Sequence, residues 1–327
     1  MKSILTKFGL LALLATPMLA QTREKVLEPA EFNFDFRRDG TTSEKAIVVD
    51  PGLNLSLCVT QGNLKINGGE RNELRVFIRN GASFDFKPQE RSPDGTPTSV
   101  IVNGLVAGKG MKGPPNECIW GDNIEIDVPR SAIVNVKGYE TATAIDSVRK
   151  VRIKVVGGDI TARNIAEGVS ISAGQGDITV EGSRGSMLLD STTGNIVVFE
   201  GAPRETGDVF KAKTNGGTVS LQQVDYRQVE VSSISGSVMF AGKVLSGASY
   251  AFSTSNGSIR LAIPADSAGR IAASYGFGAF NSEIPVEVQT ENVSPGSMKS
   301  INALFGKKGD ALLKLTTSHG SISIRKQ

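Results

Sequence analysis

An all-β chain built as a parallel β-solenoid (β-helix) is predicted by three observations. First, one template recurs: apolar, any, apolar, four turn residues, glycine, any, apolar, any, apolar. Its anchor glycines are Gly62, Gly158, Gly176, Gly194, Gly217, Gly236, Gly257 and Gly320. Second, the apolar positions alternate with period two on both sides of the glycine, as in Val151/Ile153 before Gly158 and Ile160/Ala162 after it. That pattern makes two short strands, each with one buried face. Third, the anchors from Gly158 to Gly257 follow one another at 18, 18, 23, 19 and 21 residues. A near-constant period marks stacked supersecondary units. A two-strand unit cannot enclose a core, so it buries its apolar face by pairing with neighbours about 4.8 Å away. The glycine is expected to supply a positive φ at the corner. An antiparallel meander is the rival architecture, because hairpin turns also carry glycines.

In chain order, residues 1–20 read as a secretory signal peptide. Lys2 and Lys7 precede the apolar run Phe8–Ala15, and Thr16-Pro17-Met18-Leu19-Ala20 leads to polar Gln21. The apolar run is too short for a membrane anchor, and no later stretch is long and apolar enough for a transmembrane helix. Export to the periplasm or beyond is therefore expected. Residues 21–45 form a flexible segment in which Phe32-Asn33-Phe34-Asp35-Phe36 suggests one strand. Residues 46–130 are expected to make an irregular N-terminal β region and cap, and 131–327 the regular solenoid of 18–23-residue rungs. Between 264 and 310 the template degenerates into a broken rung, with Gly278 as anchor and Ile271 and Ala273 before it. Arg325 and Lys326, beside the last template copy, are expected to guard the open end against edge pairing.

Removal of the leader leaves 34 basic against 33 acidic residues, so the charge balance gives no reason to expect nucleic acid as partner. Two cysteines, Cys58 and Cys118, in a chain bound for an oxidising compartment are expected to pair. Cys58 falls on an outward position, so its partner should come from a segment over the solenoid, with Gly108–Pro115 as the candidate loop.

Ile124-Glu125-Ile126-Asp127-Val128-Pro129 entering the repeat, the Gly-Asp-Ile, Gly-Asn-Ile and Gly-Ser-Ile units, and the closing Leu313–Ile322 together resemble a bacterial exported adhesin-type family of unknown function with tandem β-strand repeats. The resemblance covers nearly all of the mature chain. It implies a β-solenoid and an envelope or surface location, and it brings no catalytic motif.

His319 is the only histidine, and it occupies the turn position filled elsewhere by Gln61, Gln175, Thr193, Ser235 and Asn256. It is read as one more polar turn residue. No phosphate loop, nucleophile elbow or paired-cysteine metal motif occurs, so no catalytic residue and no cofactor are assigned. Arg152 and Lys154 on one rung and Lys211 and Lys213 three rungs along make a candidate basic binding strip, with Asp190 and Glu230 interleaved. Aromatic residues are nearly absent from outward template positions, which argues against a sugar-stacking track. The residue after each anchor is Asn63, Asp159, Asp177, Asn195, Thr218, Ser237, Ser258 or Ser321, all side chains expected to hydrogen-bond their own turn. Asp159 and Asp177 would stand about 5 Å apart on adjacent rungs, a candidate calcium corner.

The sequence reading is thus a noncatalytic, exported, monomeric solenoid whose wet face meets an envelope, surface or polymer ligand. The alternative is a polysaccharide lyase or hydrolase, for which paired acids would be the mark.

Overall fold

The structure, a computed structural model, describes residues 41–105, 118–294, 298–307 and 309–327. The expected signal peptide, the Phe32–Phe36 strand and the Gly108–Pro115 loop lie outside them. The described residues form 25 strands and no helix. Pairing along the body is parallel: Lys150–Gly157, Val169–Gln175, Met187–Thr193, Phe210–Gly216, Gln228–Ser235 and Ser249–Asn256 stack in one face. Ile160–Arg163, Ile178–Glu181, Ile196–Gly201, Val219–Val224, Val238–Ala241 and Ile259–Ile263 stack in the other. No antiparallel meander is present in this body; each rung is one strand from each face, joined at the anchor glycine.

The alternation read from the sequence sets which side is dry. Ile178, Val180, Ile196 and Val198 are fully buried, and the residues between them are half-buried or exposed. Each such aliphatic side chain contributes about 1.5–3 kcal/mol on burial. Large residues are offset by small ones along a column: Phe210 follows Met187, while Ala212 follows Leu189. Phe240 packs against Tyr250 and Phe252 of the next rung, with the three ring centroids 5.6–6.2 Å apart. A return segment closes each rung, placing Ile165 in the core. Above it the buried Tyr226 hydroxyl donates to the Ala202 carbonyl at 2.8 Å. Burial pushes that phenol far above its ordinary range, so it remains a donor.

Two details of the corner differ from the sequence reading. The third residue before the anchor is not an exposed turn residue but an inward one: Val155, Ala173, Ser191, Thr214, Ser233, Thr254 and Thr317 are all buried. The expected positive φ is present at Gly62, Gly158, Gly176, Gly194 and Gly217 but not at Gly236, Gly257 and Gly320, whereas close approach of the neighbouring rung is common to all eight. A Cβ on Gly236 would lie 1.9 Å from the Gly217 carbonyl oxygen of the rung below. Stacked backbone, rather than φ alone, excludes a side chain there.

Chain order and stacking order part at both ends. The rung Asn54–Gly69 lies between Ile133–Asp146 on one side and Pro97–Gly104 with Gly121–Pro129 on the other. At the far end, Ala311–Thr317 and Ile322–Lys326 insert between the Ser249–Ile263 rung and the degenerate rung Gly269–Tyr275/Phe280–Ser282. The final template copy is therefore internal. Arg325 and Lys326 pair with Ala262 and Ile263 on one side, and on the other their strand borders Phe280–Ser282 of the degenerate rung. Antiparallel strands finish both ends: Phe84–Arg91, Glu73–Gly81 and Thr41–Val48 at one, Lys299–Phe305 and Val286–Asn292 at the other.

Candidate functional site at the corner of the N-terminal rungs

The corner carries two hydrogen-bonded ladders built by the repeat. Inside, the hydroxyls of Thr214, Ser233, Thr254 and Thr317 donate to the carbonyls of Gly194, Gly217, Gly236 and Gly257 at 2.7–2.9 Å. Each buried hydroxyl thus meets the anchor carbonyl of the neighbouring rung, and both groups are satisfied. Outside, the residue after the glycine accepts from the next rung rather than from its own turn. Asp159 Oδ1 accepts the Asp177 N–H at 2.9 Å, Asp177 Oδ1 the Asn195 N–H at 2.8 Å, and Asn195 Oδ1 the Thr218 N–H at 2.9 Å.

Toward the N-terminal end this corner opens into a groove of about 550 Å³, lined by Gln61, Gly62, Asn63, Trp120, Asp122, Asn123, Glu140 and neighbouring backbone. Three rungs converge here because Val59 bridges Ile119 on one side and pairs with Gly138 on the other. Asp122 is oriented by Asn80, whose Nδ2 donates to Oδ2 at 3.0 Å, and Asn63 donates to the Asp122 carbonyl at 3.2 Å. Gly157 leaves the space taken by the Glu140 carboxylate, since a Cβ there would lie 2.8 Å from Oε2. Among the described residues, the side chains of Gln61 and Glu140 have no hydrogen-bond or ion-pair partner. The rung that supplies Glu140 escaped the template because Thr141 stands where others have glycine. Thr141 is fully buried, and its Cβ lies 3.4 Å from where Gly138 lacks a side chain. The Gly138-x-x-Thr141 exchange of small and branched residues is the signal that could have revealed it.

Cys58 and Cys118 form a disulfide with Cα atoms 4.4 Å apart. Cys118 belongs to the adjacent rung, as shown by the Ile119 N–H donating to the Cys58 carbonyl at 2.8 Å, so it does not come from a covering loop. Arg152 and Lys154 lie on the same outward face as Lys211 and Lys213. Between them stand Ser170 and Leu188 in one column and Ser172 and Asp190 in the other, and Lys211 pairs with Glu230 at 2.9 Å. His319 stacks on Phe277, ring centroids 5.0 Å apart. Phe277 and Tyr139 are 84 % and 53 % exposed, so outward aromatic residues do occur, one on the degenerate rung and one on a rung the template missed. Asp159 and Asp177 sit on adjacent rungs, and no three His, Cys, Asp or Glu side chains converge as metal ligands among the described residues.

Residues 101–325 match the Toastrack DUF4097 family. The chain belongs to this family. That agrees with the family resemblance read from the repeat units. No curated protein matches the chain. Two crystal structures are similar over 88 % of this chain. One is a candidate cell-adhesion protein from Clostridium sporogenes, at 13 % identity, 100 % coverage of that chain and a TM-score of 0.27. The other is a candidate adhesin from Parabacteroides merdae, at 9 % identity, 97 % coverage and a TM-score of 0.29. No helix among the described residues is long and apolar enough to cross a membrane.

Proposed function

We propose that this Toastrack protein is an exported, noncatalytic, adhesin-like module that holds a surface or polymer ligand. The observation that carries the reading is the N-terminal corner groove. Residues from three rungs meet on doubly paired backbone, and the side chains of Gln61 and Glu140 make no hydrogen bond or ion pair with the described residues. Concave sites with a few convergent polar groups are where ligands are held. The test is co-sedimentation of the purified mature chain with insoluble envelope and polysaccharide particles. Retention that Glu140→Lys reduces is expected, and absence of retention on every particle would overturn the reading. Export is tested by recovering the chain from a periplasmic or culture fraction with an N-terminus near Gln21.

The polysaccharide lyase or hydrolase reading draws on the two carboxylates of the same groove, Asp122 and Glu140. Incubation with polysaccharides is expected to release neither reducing ends nor unsaturated products. Either product, lost in Glu140→Gln, would replace the noncatalytic reading.

A further inference from the structure

We infer that the outward face of the first body rungs binds an acidic polysaccharide, with the Lys137, Arg152 and Lys154 side chains meeting its anionic groups beside a trough floored by Ser170, Ser172 and Gly174. This surface is separate from the corner groove, so the inference goes beyond the reading above. On the strand Lys150–Gly157, Lys150, Arg152 and Lys154 occupy successive outward positions and stand about 7 Å apart. Lys137 of the adjacent strand is in register with Lys154, about 4.8 Å away. Like charges directly opposite each other destabilise a sheet. No acid in the flanking strands offsets them: the column through Lys137 and Lys154 continues to Cys58 and Ser172, and Arg152 stands between Asn135 and Ser170. Lys137, Arg152 and Lys154 are exposed, and none of these, nor Lys150, makes a hydrogen bond or ion pair with the described residues. Glu167, at the return turn beside Gly168, is held by Arg149 and Arg204.

Elsewhere the body matches its cross-strand cations. Lys211 meets Glu230 at 2.9 Å, Arg163 meets Glu181 at 3.0 Å, and Lys213 is in register with Asp190. The basic strip expected from the sequence therefore divides, with Arg152 and Lys154 unmatched and Lys137 joining them. In a chain of net charge only +3, this is a local concentration of positive potential. Beside it, the strand Val169–Gln175 turns only Ser170, Ser172 and Gly174 outward. A Cβ on Gly174 would lie 2.5 Å from the Val156 carbonyl oxygen, so backbone contact keeps that position small. The next strand, Met187–Thr193, raises Leu188 and Asp190 on the far side, about 10 Å from the basic strand. An extended chain fits along this trough. Sugar hydroxyls meet the Ser170 and Ser172 hydroxyls, and sugar C–H groups meet the exposed Val156 and Leu188 side chains. Polyphosphate has no such C–H surface. Single-stranded nucleic acid is held by bases stacked on aromatic rings between cations, and the outward positions of these three strands are cationic, acidic, aliphatic, hydroxylated or glycine. A membrane surface would touch the long side chains and leave the floor of small residues unused.

The experiment titrates the purified mature chain with polygalacturonate by calorimetry at low and at physiological salt, with dextran, oligo(dT), polyphosphate and phosphatidylcholine/phosphatidylglycerol vesicles in parallel. Saturable binding of polygalacturonate that weakens with salt is expected, and none of dextran. The combined Lys137→Gln, Arg152→Gln and Lys154→Gln variant should bind ~tenfold or more weakly, and Lys211→Gln with Lys213→Gln less than ~twofold more weakly. Ser172→Phe fills the exposed floor with the charge unchanged and should also cost ~tenfold. Thermal melts of the triple variant at or above wild type are expected, because the substitutions relieve like-charge contact. Absence of polygalacturonate binding, equal binding by the triple variant or by Ser172→Phe, or tighter binding of oligo(dT), polyphosphate or vesicles would overturn the inference. Particle retention that Glu140→Lys reduces, without polygalacturonate binding, would overturn it and leave the groove reading intact. Polygalacturonate binding with no particle retention would do the reverse.

Discussion

In the middle of the molecule, from Lys150 to Ala241, each rung pairs with the copies before and after it in sequence. At the two ends it does not. The rung at 97–129 stacks outside the rung at 54–69, although it comes later in the chain, and the rung at 311–326 stacks inside the one at 269–282. In the middle, cohesion is a sum of nearest-neighbour terms, as in other repeat arrays. At the ends, the chain makes contacts across long sequence separations and finishes with antiparallel strands. The entropy of closing a longer loop grows only slowly with its length. In exchange, the last described strands, Ala311–Thr317 and Ile322–Lys326, are held between two formed rungs, and among the described residues antiparallel strands cover the outer rungs Pro97–Gly104, Gly121–Pro129 and Gly269–Tyr275.

The largest expected effects break the middle. Ile178→Asp or Val198→Asp puts a charge into the dry core and is expected to prevent folding, while Thr179→Asp changes stability by only about 0.5 kcal/mol. Val288→Asp, in the terminal antiparallel strand and 48 % exposed, should resemble Thr179→Asp. Equal melts for Ile178→Asp and Val288→Asp would erase the distinction between body and cap. Next comes the N-terminal end: replacing Cys58 and Cys118 by serine opens a separation of 60 residues. A loss of about 4 kcal/mol is expected from chain entropy, read by denaturant unfolding, and no change in midpoint would show that the end rungs hold without the bond.

Smaller effects sharpen what the corner does. Gly236→Ala should cost about 2–3 kcal/mol, because its Cβ would collide with backbone that cannot move without shifting a whole rung. Gly207→Ala is the control for φ without collision, since nothing lies within 4 Å of its Cβ; equal costs would return the glycine ladder to turn conformation. Thr254→Val removes the donor to the Gly236 carbonyl and should cost about 1–2 kcal/mol. The smallest effect is expected for Asp177→Asn. Asparagine keeps the oxygen that accepts from Asn195, so melting temperatures with and without calcium should coincide with wild type, and a calcium-dependent difference would establish the cation corner.

The faces of the solenoid were legible in the sequence because strand side chains alternate with a period of two, and every template copy repeats that choice. The inner hydroxyl ladder was harder to see. Ser191, Thr214 and Thr254 look like turn residues, and only the neighbouring rung shows the glycine carbonyl that makes burial of a hydroxyl acceptable. The groove was not legible at all, since Gln61, Trp120 and Glu140 are far apart in the chain and two of their rungs depart from the template. What the sequence by itself determined is which side of each strand is dry and where each rung turns, both consequences of local geometry. Which rung lies against which was decided only by the tertiary structure. Apolar faces of similar size stack on one another almost interchangeably, so the repeat specifies a neighbour but not its identity, and the pairing of the ends is settled by long-range contacts and the disulfide.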